Sequence, residues 1–267
     1  MNRLKISNDD IILTEKDDKL TFSLNNNSKF LGVQNVKIRV KESTDLIIEC
    51  ENVINKLDIT VNILEGVHLN IYEFKNDGDY KFQYKYILGE NSHLNIERVI
   101  DVSSINEMTI VNLDGENAEV NYNLKTISKN EEKYNYLVYH NASKTVSNIV
   151  NNGVNILDGK LEFNVSSFVP NNIKKCIVNQ ESRIINMTDN LCIIKPNLFI
   201  DEEDVSANHS ALIGTFKAEE VFYLMSRGIS KKEADSLLTR GFLMKGINYH
   251  KDILESLISK YWRWYYE

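Results

Sequence analysis

Between about residues 10 and 200, apolar and polar side chains alternate in short runs, as in Lys56-Leu57-Asp58-Ile59-Thr60-Val61-Asn62-Ile63 and Ala118-Glu119-Val120-Asn121-Tyr122-Asn123-Leu124. Successive side chains of a strand point to opposite faces, so a period of two puts the apolar residues on one buried face and Asn, Thr and Glu on the other. The segment reads as many short strands. Asn25-Asn26-Asn27, Asn76-Asp77-Gly78-Asp79, Asp114-Gly115-Glu116-Asn117, Asn151-Asn152-Gly153 and Leu157-Asp158-Gly159 interrupt the runs. Gly, Asn and Asp tolerate the positive φ that tight reversals demand, so each group predicts a turn. The pattern fits a sandwich, a barrel or a β-helix whose coils stack without strict repetition. No clean repeat period stands out, and alternation alone does not select the solenoid.

The period changes near Phe216. From Lys217 to Arg227 the apolar residues Val221, Phe222, Leu224 and Met225 fall at helical spacing, Glu219 and Glu220 occupy the first turn, and Gly228 supplies a stop. Ser230 with Glu233 three residues later predicts a capping box, followed by an apolar stripe of Ala234, Leu237, Leu238 and Phe242. A third helix is expected over about 249–263, with Ile253, Leu254, Leu257, Ile258 and Tyr261 on one face. The terminal run Tyr261-Trp262-Arg263-Trp264-Tyr265-Tyr266 is too aromatic for a free tail; it suits either a partner interface or an anchor to its own domain. The expected division is a strand body, 1–215, and a helical tail, 216–267.

A chain of 267 residues with 42% hydrophobic and 26% charged content has the composition of an ordinary globular protein. Its formal net charge of -7 opposes nucleic acid and anionic membrane surfaces as general partners. The first ten residues carry no apolar leader segment, and no run of about 18 apolar residues occurs, so a cytoplasmic location is expected. Cys50, Cys176 and Cys192 are widely separated, with no CxxC pair, and read first as reduced core thiols.

The candidate chemistry lies at the junction of body and tail. Asp204-Val205-Ser206-Ala207-Asn208-His209-Ser210-Ala211-Leu212-Ile213-Gly214, then Val221-Phe222-Tyr223-Leu224-Met225-Ser226-Arg227-Gly228-Ile229, resembles the C-terminal core of the SufB/SufD family of iron-sulfur cluster assembly proteins, whose members read roughly DVxCSHGATVG and FYLRSRGI. His209 stands thirteen positions before Phe222, as in that family. Val169-Pro170 with Ile173-Lys174 is similar to an A-x-K-T element, and Ile193-Ile194-Lys195-Pro196-Asn197-Leu198-Phe199-Ile200 to a D-T-K-P-x-L-E-I segment.

The resemblance implies a right-handed parallel β-helix core with a small C-terminal helical domain. It implies pairing of two cores, as a homodimer or with a SufB-type subunit, and docking of a SufC-type ABC ATPase by the helices, with Phe222, Tyr223, Arg227 and Gly228 as the candidate contact residues. The chain has no GxxxxGK[ST] loop, so ATP chemistry is expected to reside in the partner and the chain itself to be non-enzymatic. Strands begin almost at once, where relatives usually carry a helical N-terminal domain, so the chain looks like a short form. His209 matches the functional histidine of the SufD-type member and is the candidate ligand for iron or a transient cluster. Ala207 replaces the cysteine of the DVxCSH pattern, Ser210 replaces the glutamate of SufB-type members, and Glu181 falls near the upstream functional cysteine of SufB-type members, which makes the chain more SufD-like. Cys192 is a weaker candidate ligand and Cys176 weaker still.

Two competing readings remain. Asp201-Glu202-Glu203-Asp204 is a solvated turn with Asp204 ordering the loop that follows, or it belongs to a β-helical carbohydrate-active enzyme or lectin-like module using Asp201, Asp204 or surface Asn residues. The missing cysteine and glutamate also suit a paralogue that only stabilises a complex.

Overall fold

The computed structural model describes residues 2–7, 11–14, 18–25, 33–53 and 56–266. Most of the expected Asn25-Asn26-Asn27 turn lies outside them. The strands are β1 (Asn2–Ile6), β2 (Ile11–Thr14), β3 (Leu20–Asn25), β4 (Val33–Val40), β5 (Thr44–Val53), β6 (Lys56–Ile63), β7 (His68–Leu88) and β8 (His93–Asp101). They continue as β9 (Ser104–Leu113), β10 (Glu119–Ser128), β11 (Glu131–His140), β12 (Val146–Asn155), β13 (Lys160–Val169), β14 (Cys176–Asn186), β15 (Ile193–Ile200) and β16 (Val205–Gly214). Helices α1 (Ala218–Ser226), α2 (Lys231–Leu243) and α3 (Lys251–Tyr265) follow.

From β4 onward the parallel pairs join each strand to its equivalent one coil on, two places along the chain except at the long β7, building a β-solenoid of about seven turns. One sheet stacks β5, the first half of β7, β8, β10, β12, β14 and β16. The other stacks β6, the second half of β7, β9, β11, β13 and β15. The long β7 serves both sheets because Asp77 and Gly78, at φ 49° and 89°, turn the corner inside it. The alternation does what it predicts in β6, where Leu57, Ile59, Val61 and Ile63 are buried between less buried neighbours.

Two sequence expectations need correction. A repeat does exist: register-equivalent asparagines on the first sheet recur 25, 26, 27, 31 and 29 residues apart, and the drift is what hides the period. Asn151-Asn152-Gly153 is not a turn but the middle of β12. Gly153 is there for close packing, since a Cβ would stand 2.2 Å from Leu161 Cδ2 across the core.

Inside the coils an aliphatic and aromatic core surrounds a neutral ionic network. Glu73, Lys75, Arg98 and Glu107 are each at most 1% exposed. Arg98 donates to both carboxylates, with Nη2 2.7 Å from Glu107 Oε2, and Lys75 Nζ reaches the same oxygen at 2.5 Å. Two cations matched to two carboxylates leave no uncompensated charge, the condition under which buried ions are tolerated. Burial pushes the Glu107 carboxyl up, but Arg98 and Lys75 more than offset this and hold it at about 2.

The helical tail covers the outer face of the first sheet. Alternation is lost in the second halves of β8, β10 and β12, which are buried on both faces because Val99, Ile127 and Val154 pack against Leu243, Leu254, Ile258 and Trp262. The Glu97 carboxylate accepts the backbone N–H groups of Asn248, Tyr249 and His250 at 2.7, 2.8 and 3.1 Å. It thereby satisfies donors at the start of α3 and complements the helix dipole. Tyr249 stacks on Tyr72 at 4.5 Å. The terminal aromatic run is an anchor: Tyr261 donates to Asp101, and Tyr265 to the Met187 carbonyl at 2.8 Å. The Trp264 side chain lies outside the described residues.

The capping box of α2 forms as expected. Its buried face is Ala234, Asp235, Thr239 and Leu243, and Leu237 points outward, so the expected stripe is rotated. The reason is that Asp235, anchored by Lys231 at 3.0 Å and by Tyr266, is drawn to the helix interface. Among the described residues no helix is long and apolar enough to cross a membrane.

Candidate functional site

The last coil is where the expected histidine lies. β16 pairs with β14 on one side only, placing Ala207, His209, Ala211 and Ile213 in register with Val178, Gln180, Ser182 and Ile184. Those four β14 residues are buried and face the solenoid interior. His209, Ala211 and Ile213 continue the same inward columns yet are exposed, because no described coil stacks beyond β16. Gln180, in register with His209, donates to Ser167 Oγ at 2.8 Å and to the Asn197 carbonyl at 3.1 Å, while its Oε1 is buried with no partner. β15 likewise pairs only with β13, and Pro196, which has no N–H to give to a ladder, is tolerated on that edge. Phe199 at 52%, Leu212 at 51% and Ile213 at 42% exposure leave the open end partly apolar.

Glu181 and Ser210 are register neighbours on adjacent strands, on the outer face. The three thiols are free and buried. Cys192 precedes β15 in the main core, where burial raises its thiol pKa; Cys50 is raised further by burial and the neighbouring Glu73. Cys176 Sγ lies 3.3 Å from Thr145 Oγ1. Among the described residues no three His, Cys, Asp or Glu side chains gather as a metal site. His209 and Cys192 therefore stand as separate single donors.

Helix α1 buries none of its residues. Phe222 at 72% and Tyr223 at 57% exposure project from it, with Arg227 stacked on Tyr223 at 5.3 Å. Gly228, at φ 86°, ends the helix as expected and its N–H caps the Met225 carbonyl at 3.0 Å. The acidic run is a turn held by Glu202, whose carboxylate accepts the N–H groups of Asn172, Glu203 and Asp204 at 3.0, 3.1 and 3.2 Å. Those bonds hold the Glu202 carboxyl below the usual range.

This arrangement, a solenoid with an open histidine-bearing coil and an exposed Phe-Tyr helix, coincides with a known domain. Residues 24–242 match the family profile described as SUF system FeS cluster assembly, SufBD core domain. The chain belongs to the SufB/SufD family. It is 33% identical over 141 residues to the iron-sulfur cluster assembly protein SufD of Bacillus subtilis, a match covering 52% of this chain and 29% of that protein. It is 50% identical over 44 residues to a SufBD family protein of Pyrococcus horikoshii, 16% of this chain and 9% of that one. A SufBD family protein of Mycobacterium leprae is 50% identical over 48 residues, 18% and 12% respectively. Each match thus covers less than a third of the relative's own length.

Several features of this SufB/SufD-family chain were not singled out from its sequence. Asp45, Asn70, Asn95, Asn121, Asn148, Asn179 and Asn208 form a hydrogen-bonded ladder up the outer face, with rungs of 2.8 to 3.4 Å. The doublet His68-Leu69-Asn70-Ile71 and His93-Leu94-Asn95-Ile96 was the available signal. The ionic network and the Glu97 clamp gave no such signal, because their partners are brought together only by coil stacking.

Proposed function

We propose that the chain is a non-enzymatic subunit of a cytoplasmic SUF-type assembly complex, pairing through the open end of its solenoid with a second SufB/SufD-type core. In this reading the division at 215/216 separates a pairing core from a tail that docks a SufC-type ABC ATPase through Phe222, Tyr223, Arg227 and Gly228. Iron or a nascent cluster is the cargo. His209 offers one nitrogen ligand, with Cys192 a secondary candidate, and the remaining donors come from the partner core. The observation that carries the reading is the exposure of His209 on an edge strand whose inward face no described coil covers. An uncovered apolar edge is a template for another chain.

ATP-driven closure of the ATPase pair would shift the core interface and so open or shut His209 to cargo. The test is co-expression with the SufC-type ATPase and a SufB-type core from the same source, followed by anaerobic native mass and bound iron and sulfide. Leu212→Asp should abolish core pairing but keep the ATPase, and Phe222→Asp should do the reverse. His209→Ala should leave both associations and lower iron. Unchanged cluster assembly in His209→Ala with an intact complex would leave a purely stabilising subunit. No association under any nucleotide condition would overturn the proposal.

A further inference from the structure

A cavity of about 780 Å³ lies between the outer face of the first sheet and the helical tail, on the face opposite to the inward column that carries His209. That volume is within the range of small-molecule sites, about 300–1,000 Å³. Its floor is polar. Lys125 on β10, Asn152 on β12 and Arg183 on β14 are consecutive in register, so the two cations flank the amide across two strand spacings, roughly 10 Å. Lys125, only 1% exposed, donates to Asn152 Oδ1 and, among the described residues, to nothing else. The Arg183 guanidinium lies over the Phe242 ring at 5.1 Å, and its Nε is buried with no hydrogen-bond partner. Asn123 Oδ1, also on the wall, is buried and unpartnered. The roof is apolar, with Phe216, Leu237, Leu238 and Phe242.

Buried donors without partners are costly unless something else satisfies them. Lys125 has N–H groups to spare beyond its bond to Asn152, and Arg183 Nε has no acceptor among the described residues, beside an apolar roof suited to a hydrocarbon body. The wall also carries Glu97, Glu181, Glu220 and Lys245. Glu97 is occupied by three backbone N–H groups, whereas Glu181 and Glu220 are exposed. Their negative charge disfavours a dianion. We infer that this cavity is a binding site for a small apolar molecule bearing a single carboxylate, which bridges Lys125 and Arg183 above Asn152 while its body lies under α2.

The Lys125 ammonium supports the assignment. Burial, with Lys245 nearby, lowers its pKa to about 8 despite Glu181 and Glu97. An arriving carboxylate favours the charged form, so binding should raise that pKa, and affinity should fall as pH rises above about 8.

The test is titration of the full chain with 4-phenylbutyrate, 4-phenylbutyramide and phenyl phosphate, read by calorimetry and by NMR of the lysine amines. The carboxylate should bind and raise the Lys125 pKa, the amide should bind about tenfold more weakly or not at all, and phenyl phosphate should be weaker than the carboxylate. Lys125→Met and Arg183→Gln should each weaken carboxylate binding by about tenfold, and Arg183→Gln, half-buried at the wall, guards against a folding defect in the other. Equal binding of acid and amide, unchanged binding in both variants, or no binding at all would overturn the assignment.

Discussion

Ile149 and His209 stand in one inward column of the first sheet, as do Ser182 and Ala211, yet the earlier coils bury these positions and the last coil exposes them. The strands are built alike, with inward and outward residues alternating and each residue paired to its equivalent one coil back. What differs is whether another coil stacks on top. In a solenoid each repeat is stabilised by its neighbours, so the terminal repeat is half-satisfied by construction. The middle coils can therefore hold Arg98, Glu73, Glu107 and Lys75 away from water, whereas the last coil presents a histidine at an uncovered edge. The same position is core in one place and available to a partner in the other.

This contrast is sharpest under mutation. Glu107→Ala leaves Arg98 and Lys75 with one carboxylate between them, and should cost about 3–5 kcal/mol in urea unfolding. His209→Ala at the open end of the unpaired chain should change stability by no more than about 0.5 kcal/mol. Equal effects would show that the last coil is as tightly packed as the middle.

A second difference is electrostatic. Glu132 in the middle coils accepts from Thr126 at 2.6 Å and Tyr134 at 2.8 Å but forms no ion pair among the described residues. Burial, with Asp101 adding to it and Lys129 opposing it, raises its carboxyl pKa to about 7. A raised carboxyl pKa gives stability that is full below the unfolded value near 4.5 and is lost as pH rises through about 7. The full swing is on the order of 3 kcal/mol. Unfolding of the wild type and Glu132→Gln between pH 4 and 8 should converge in slope outside that window and differ inside it; parallel curves throughout would remove Glu132 as the cause.

The smallest contrast between middle and end concerns the outer ladder. Asn121→Ala, in mid-ladder, removes bonds to Asn95 and Asn148, and should cost about 1–2 kcal/mol. Asn208→Ala, at the 3.4 Å terminal rung, should cost less than half as much. Thermal denaturation of the two variants compares them directly; a larger loss at Asn208 would mean that the final coil is the better ordered one.

Much of this architecture was legible from the residues. Alternation identified β6 and β10, Ser230 and Glu233 marked the start of α2, and the spacing of His209 to Phe222 pointed to the family. The coil period was not legible, because loops at the corners absorb between zero and several extra residues without altering the stacked strands. Asn151-Asn152-Gly153 was misread for a related reason: Gly153 answers to Leu161 across the core, a contact invisible along the chain. Nor could the sequence place Lys125 beside Arg183, 58 positions apart, in one cavity.

Local chemistry, then, determined the elements: the period of two, the capping box, the glycine stop and the family of the histidine-bearing strand all act within a few residues. Only the tertiary structure decided which apolar and ionic side chains are interior, which asparagines share a ladder, and that His209 is uncovered. Those properties depend on a neighbouring coil being present or absent, and stacking brings together residues whose separation along the chain carries no local signal.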